Sequence, residues 1–164
     1  MKIHFSNVNF SSRSGPNTFA HRLGNQLEKM GHNIVSEKED YDTFLAFIEP
    51  ASIPRKNAKF IQRLDGIWFK PEQFESHNIN IKWAYDNCDS VIWQSNFDKK
   101  MTQKWWGNKA GDVIYNGINI EKVTAQKEIL DIKSKYMNIF VCSSNWHRQK
   151  RLKENILFFK KVSG

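Results

Sequence analysis

A polar loop with a single glycine, SSRSGPNTF at residues 11–19, follows a short apolar segment and leads into a helical pattern. A loop between a first strand and a helix N-terminus directs backbone N–H groups and the helix dipole towards an anion. Gly15 lets the backbone approach a ligand, Pro16 fits the first helical position, and Asn17 adds a polar side chain. We therefore predict substrate contacts at Gly15, Pro16 and Asn17.

The same loop departs from two nucleotide-binding fingerprints. The dinucleotide fingerprint needs three glycines at fixed spacing, and the chain has no Gly-Lys-Ser or Gly-Lys-Thr for a phosphate-binding P-loop. Glu37 follows the second apolar run, where a ribose-binding acid would lie, but a lone glycine disfavours a nicotinamide-dependent oxidoreductase.

An acid beside a glycine, Asp65-Gly66, follows the apolar run KFIQRL at residues 59–64. Open α/β sheets bind ligands at the carboxyl ends of their strands. Asp65 is therefore the candidate catalytic residue, which would accept a hydrogen bond from a substrate hydroxyl and orient it. Arg63 is a candidate substrate-binding residue that pairs with Asp65 or with an anionic substrate. The alternative for Arg63 and Asp65 is an ion pair at the surface, beside a turn.

Short apolar runs alternate with amphipathic segments, which is typical of βαβ units around a parallel sheet. Predicted strands lie at residues 2–7, 32–36, 43–49, 59–64, 90–95 and 112–117. One predicted helix lies between the first two strands, where Phe19, Leu23, Leu27 and Met30 recur at helical spacing and Gly31 lies just beyond its end. Two more predicted helices lie at residues 79–88 and 97–106. These elements predict an α/β fold with a Rossmann-like, doubly wound parallel sheet over residues 1–118.

The pattern changes after that domain. Residues 119–137 are polar and charged and are predicted to be a linker, while 138–144 are typical of a strand and 151–162 of an amphipathic helix. Residues 138–164 would thus open a second, incomplete domain, because one βα unit cannot bury its own apolar faces. We expect that end to dock on the first domain, to self-associate or to bind a complementary chain.

The net charge of +8 predicts an anionic partner, such as nucleic acid, an anionic membrane surface or a phosphorylated small molecule. Trp93, Trp105 and Trp106 would favour nucleic acid, but they lie at positions typical of a core, and no nucleic-acid-binding motif is present. A membrane surface is not indicated. No signal peptide or membrane-spanning run is found, so we expect a cytoplasmic protein.

Cys88 and Cys142 are predicted to be buried thiols, and the histidines show no metal-binding spacing.

Four segments, in order, carry a resemblance to a known family. They are SGPNTFAHRLGNQLEKMGHNI, CDSVIWQSNFDKKMTQKWWG, DVIYNGINIEKV and VCSSNWHRQKRLKENILFFKKV, and QRLDGIWF adds a motif found in a subset of it. The chain resembles the N-terminal half of a family-four, GT-B type glycosyltransferase.

The resemblance implies transfer of a sugar from a nucleotide-diphospho sugar to a glycan or other hydroxyl acceptor, with retention and without a metal ion or other cofactor. The first domain would bind the acceptor and the second domain the donor. Arg148 and Lys150 would contact the donor diphosphate. Asn116, at the domain junction, is expected to form a hinge turn and, secondarily, to contact substrate.

The family's nucleotide pocket and its glutamate pair lie further along the second domain. We therefore expect the 164-residue chain alone to be inactive. Two alternatives stay open: a non-catalytic partner subunit, or a basic nucleic-acid binding module.

Overall fold

The computed structural model of the chain describes residues 1–12, 14–117, 135, 139, 141–142, 144, 146 and 150–162. The chain divides into two compact units, Met1–Gly117 and Ile118–Gly164.

The first unit is built on one sheet of six parallel strands. The strands are β1 (Lys2–Ser6), β2 (Asn33–Val35), β3 (Thr43–Phe47), β4 (Lys59–Leu64), β5 (Ser90–Trp93) and β6 (Gly111–Val113). Their order across the sheet is β2-β1-β3-β4-β5-β6. All five pairings are parallel. The predicted α/β class, the parallel sheet and its strands are confirmed.

Strand β3 lies inside the sheet and is buried on both faces, as is usual for parallel strands covered by helices. Phe44 and Ala46 pack into one core with the residues of β4, β5 and the second helix. Leu45 and Phe47 point to the opposite core, against the first helix. The alternation of side chains along β3 therefore joins the two cores of a doubly wound fold.

Helices cover both faces of the sheet. Helix α1 (Gly15–Lys29) packs Phe19, Leu23 and Leu27 against one core, and α2 (Pro71–Asn87) and α3 (Asn96–Trp106) contribute side chains to the other. Gly107 ends α3 at a φ of 87°, a conformation that glycine adopts without strain.

Helix α2 begins two turns before the predicted helix at residues 79–88. Pro71 lies in its first turn, where a missing N–H is tolerated. The buried Asn78 interrupts the apolar pattern of this helix. Its side chain accepts a hydrogen bond from the Trp68 N–H at 3.0 Å and donates to the carbonyls of Trp68 (3.0 Å) and Phe74 (2.7 Å).

In the second unit, the amphipathic helix predicted for residues 151–162 is present as α4 (Leu152–Val162). Of the strand predicted at residues 138–144 the structure describes Ile139, Val141, Cys142 and Ser144, and none of these four lies in a strand. The linker prediction falls almost wholly outside the described residues. Among the described helices, none has the length and apolar character needed to cross a membrane.

The two cysteines differ in environment. Cys88 is buried, as predicted, and burial raises the pKa of its thiol to about 11. Cys142 is exposed, so the prediction that both thiols are buried was wrong for Cys142. Its neighbours Ile139 and Val141 are also exposed, which shows that an apolar run is not by itself a sign of burial.

The pairing of β5 with β6 leaves no room for a side chain at Gly111. Its φ is +147°, and an added Cβ would lie 1.9 Å from the carbonyl oxygen of Val91 on β5. We expect Gly111→Ala to lower the free energy of unfolding by about 3 kcal/mol or more, measured by urea denaturation.

Gly117→Ala is the matched control, because a Cβ there meets no atom of the described residues within 4 Å. It should change the free energy of unfolding by less than about 0.5 kcal/mol. Equal stability of the two variants would contradict the close approach of β5 and β6.

Candidate functional site

The order of the strands reverses between β1 and β3, which lie side by side although the chain passes through β2 between them. In open α/β sheets this switch point, at the carboxyl ends of the strands, is where ligands bind. A cavity of about 410 Å³ lies here, and we name it the switch-point cavity. It is lined by His4, Phe5, Ser6, Asn7, Val8, Asn9, Asn17, Glu37, Ala51 and Ser52.

The backbone at this switch point is held in uncommon conformations. Asn7 follows β1 at a φ of 63° and donates from its side-chain amide to the Phe47 carbonyl at 3.1 Å. Ile48 follows β3 at a φ of 69°, which is rare for a β-branched residue. Its carbonyl accepts a 2.6 Å hydrogen bond from the buried Gln62 side chain. Such strain concentrates at functional positions in proteins.

The predicted glycine loop lies at the carboxyl edge of the sheet. Asn17 lines the switch-point cavity, but both ends of its amide are engaged. Its oxygen accepts from the Asn9 N–H, and its nitrogen donates to the Ser14 hydroxyl, each at 2.9 Å. Asn17 therefore stabilises the loop. The N-cap residue Ser14 forms no side-chain cap hydrogen bond, Pro16 lies in the first turn of α1, and a Cβ on Gly15 would meet no atom of the described residues within 4 Å.

Three polar side chains meet at the ends of β4, β5 and β6. Nη2 of Arg63 donates to Oε1 of Gln94 and to Oδ1 of Asn116, each at 3.0 Å. Asn116 also donates from Nδ2 to Oε1 of Gln94 at 3.0 Å. The guanidinium carbon lies 4.1 Å from the ring centroid of Phe19 on α1. We name Arg63, Gln94, Asn116 and Phe19 the guanidinium cluster.

The guanidinium cluster joins two residues that the sequence predicted separately, Arg63 and Asn116. Gln94 was missed, although its place directly after β5 puts it at the same edge of the sheet as Asp65. Its position directly after a predicted parallel strand is the feature of the sequence that could have identified Gln94 as a site residue. Phe19 was predicted only as part of the apolar stripe of the first helix, and its contact with the guanidinium follows from the packing of α1.

The alternative of a surface ion pair between Arg63 and Asp65 was wrong. Arg63 is only 4% exposed, and among the described residues no ion pair joins it to Asp65. A charged residue at a strand end usually lies at the surface, but β4 is an inner strand whose end is covered by α1 and by the residues after β5 and β6.

Asp65 is partly buried beside the guanidinium cluster. Burial raises the pKa of its carboxyl above the ordinary value, an effect opposed by Arg63 and reinforced by Asp98. A carboxyl with a raised pKa at a ligand-binding edge fits a role in hydrogen bonding to a substrate.

Of the two predicted donor-phosphate residues, Arg148 lies outside the described residues. Lys150 is exposed two residues before α4, and its carbonyl accepts a 3.2 Å hydrogen bond from the Asn155 side chain. Among the described residues, no group of three histidine, cysteine or acidic side chains could hold a metal ion.

Comparison of the chain with protein-family models and with curated proteins found no match.

The raised pKa of Asp65 predicts a pH-dependent effect of Asp65→Asn on stability. Because the folded state disfavours the ionised carboxylate, the ionised residue lowers stability at pH values above its folded pKa. Asp65→Asn should therefore raise the urea midpoint at pH 7. The gain should vanish at a pH below the ordinary value of 3.8, where the carboxyl is protonated in both folded and unfolded chains.

Asp112→Asn, at a solvent-exposed position of β6, is the matched control and should leave the urea midpoint at pH 7 nearly unchanged. A loss of stability in Asp65→Asn at pH 7 would mean that its carboxylate forms a favourable native interaction.

Proposed function

We propose that residues 1–117 form the acceptor-binding side of a retaining glycosyltransferase that uses a nucleotide-diphospho sugar as donor. The observation that supports this proposal is the guanidinium cluster. It brings Arg63 within 3.0 Å of Asn116, 53 residues away in the chain, at the ligand-binding edge of a doubly wound sheet. The sequence analysis had predicted Arg63 to bind substrate because of its place near a strand end, and Asn116 to form a hinge turn and, secondarily, to contact substrate.

In the proposed reaction, a hydroxyl oxygen of the acceptor forms a bond to the anomeric carbon as the bond from that carbon to the donor phosphate breaks. The hydroxyl proton passes to an oxygen of the departing phosphate. Asp65 accepts a hydrogen bond from the hydroxyl and orients it, so that the reacting atoms meet in the correct geometry. The base in this scheme is the donor's own phosphate, and Asp65 keeps a positioning role.

On the donor side, Arg148 and Lys150 stabilise the charge that develops on the departing diphosphate. Preplaced cations at a position of developing charge contribute strongly to catalysis. Lys150 precedes the N-terminus of α4, where the helix dipole also favours an anion. The scheme needs no metal ion, and we place the reaction in the cytoplasm.

The role of Lys150 can be measured with Lys150→Ala, assayed by donor consumption with a chelator present. Because the resemblance places the nucleotide pocket outside these 164 residues, the assay uses the longest form of the protein that the gene encodes. We expect kcat to fall by about 100-fold, since a cation at the leaving group acts mainly in the transition state.

Lys153→Ala on the exposed face of α4 is the matched control and should retain full activity. Equal rates for the Lys150 and Lys153 variants, or loss of activity on chelation alone, would contradict the proposed donor site.

A second candidate function, binding of single-stranded nucleic acid, is favoured by one observation. Trp105, which the sequence placed in the core, is 54% exposed, and the ammonium of Lys104 lies 5.9 Å from its ring centroid. Exposed aromatic rings beside cations are stacking platforms for bases. Trp93 is fully buried and Trp106 partly buried, so the prediction of core positions holds for those two residues.

Filter binding of a labelled oligonucleotide over a salt titration separates this candidate from the glycosyltransferase. The glycosyltransferase proposal predicts weak binding that Trp105→Ala does not change. Tight binding that weakens steeply with salt and is lost in Trp105→Ala would favour the nucleic-acid candidate instead.

A further inference from the structure

The guanidinium of Arg63 is buried without a carboxylate partner. Its side chain is 4% exposed, and its hydrogen-bond acceptors are the neutral amide oxygens of Gln94 and Asn116. Within the described part of the chain, ion pairs join only Arg55 to Asp40 and Lys82 to Asp86. A buried charge is unfavourable unless it is paired and hydrogen bonded.

One end of the guanidinium also lacks a hydrogen-bond acceptor. Nη1 of Arg63 is buried and has no partner among the described residues. The rings of Phe19 and Phe47, 4.1 and 5.8 Å from the guanidinium carbon, favour the cation electrostatically but accept no strong hydrogen bond. An anion at Nη1 would supply both a counter-charge and an acceptor.

Neither of the two nearby carboxylates, Asp98 and Asp65, is the hydrogen-bond acceptor that Nη1 of Arg63 lacks. Asp98 accepts a 2.6 Å hydrogen bond from the Ser95 hydroxyl at the N-terminus of α3 and is fixed there. Asp65 acts on Arg63 electrostatically, but it lies beyond ion-pair distance.

The guanidinium cluster reaches the surface through Asn116, which is exposed. Helix α1, which carries Phe19, begins at the same edge, where the side chain of its N-cap residue Ser14 forms no cap hydrogen bond, and the helix dipole adds positive potential there.

We propose that Arg63 binds an anionic group of the acceptor, a carboxylate or a phosphate, so that the acceptor is an acidic sugar or a sugar phosphate. This inference rests on the proposed function and specifies its acceptor class. The anion takes the place of the Asn116 amide and accepts hydrogen bonds from Nη1 and Nη2, the paired geometry in which arginine binds carboxylate and phosphate.

The test uses the 164-residue chain and three probes: glucose 6-phosphate, glucuronate and uncharged glucose. A bound probe stabilises the folded state by mass action, so a saturating anionic probe should raise Tm by about 3 °C or more. Glucose should leave Tm unchanged. A shift with glucose 6-phosphate alone identifies a phosphate site, and a shift with glucuronate alone identifies a carboxylate site.

Arg63→Gln should abolish the probe-dependent shift, and Arg63→Lys, which keeps the charge and loses the paired geometry, should reduce it. Each shift is measured against the same variant without probe, so a lower stability of the variant does not obscure the result. Arg55→Gln is the matched control, since the Arg55 guanidinium donates to Asp40, and its backbone N–H donates to the Tyr41 hydroxyl, beside the opposite edge of the sheet.

Three results would overturn the inference: no shift with either anionic probe, the same shift with glucose, or an undiminished shift in Arg63→Gln. Failure of this inference can be distinguished from failure of the proposed function. Arg63-dependent binding without sugar transfer by the longest encoded form would contradict the glycosyltransferase alone. Transfer to neutral acceptors that is unaffected by Arg63→Gln would contradict the acceptor class alone.

Discussion

Parallel pairing of β3 with both β1 and β4 is the constraint from which the candidate site follows. Parallel neighbours cannot be joined by a tight turn, so each connection crosses a face of the sheet and every strand ends at the same edge. That edge collects Asn7, Ile48, Arg63, Gln94 and Asn116 from five different strand ends. The buried guanidinium of Arg63 and the strained backbone of Ile48 lie close together because the parallel strands that carry them end at the same edge.

The interior of the sheet shows how that edge is maintained. Gln62 is fully buried on β4, and its side-chain amide donates to the carbonyls of Ile48 and Ile81 at 2.6 and 3.0 Å. The Ile48 N–H also donates to the Arg63 carbonyl at 2.8 Å. These bonds hold Ile48 at its positive φ and tie the end of β3 to the residue that carries the buried charge. Strand β4 therefore supports both the strained backbone of Ile48 and the buried charge of Arg63.

Local sequence patterns predicted the strands and helices that short-range interactions determine. The apolar runs placed all six strands, and the stripe of Phe19, Leu23 and Leu27 placed α1. Features set by distant contacts were missed. The burial of Arg63 depends on α1 and on residues after β5 and β6. The early start of α2 depends on the hydrogen bonds of Asn78. Trp105 lies in a correctly predicted helix, but its exposure depends on how that helix packs. The joining of Arg63 to Asn116 through Gln94 needed the strand order, which no single segment contains.

Binding of an anion by the Arg63 guanidinium, at the carboxyl edge of the sheet, is the proposal on which the function of the guanidinium cluster depends. Side-chain ¹⁵N NMR of the guanidinium during titration with glucose 6-phosphate or glucuronate tests it most directly, because the signal reports on the proposed contact itself. We expect at least one of these anions to shift the Arg63 signals saturably, while glucose leaves them unchanged. Unchanged Arg63 signals with both anions would contradict it.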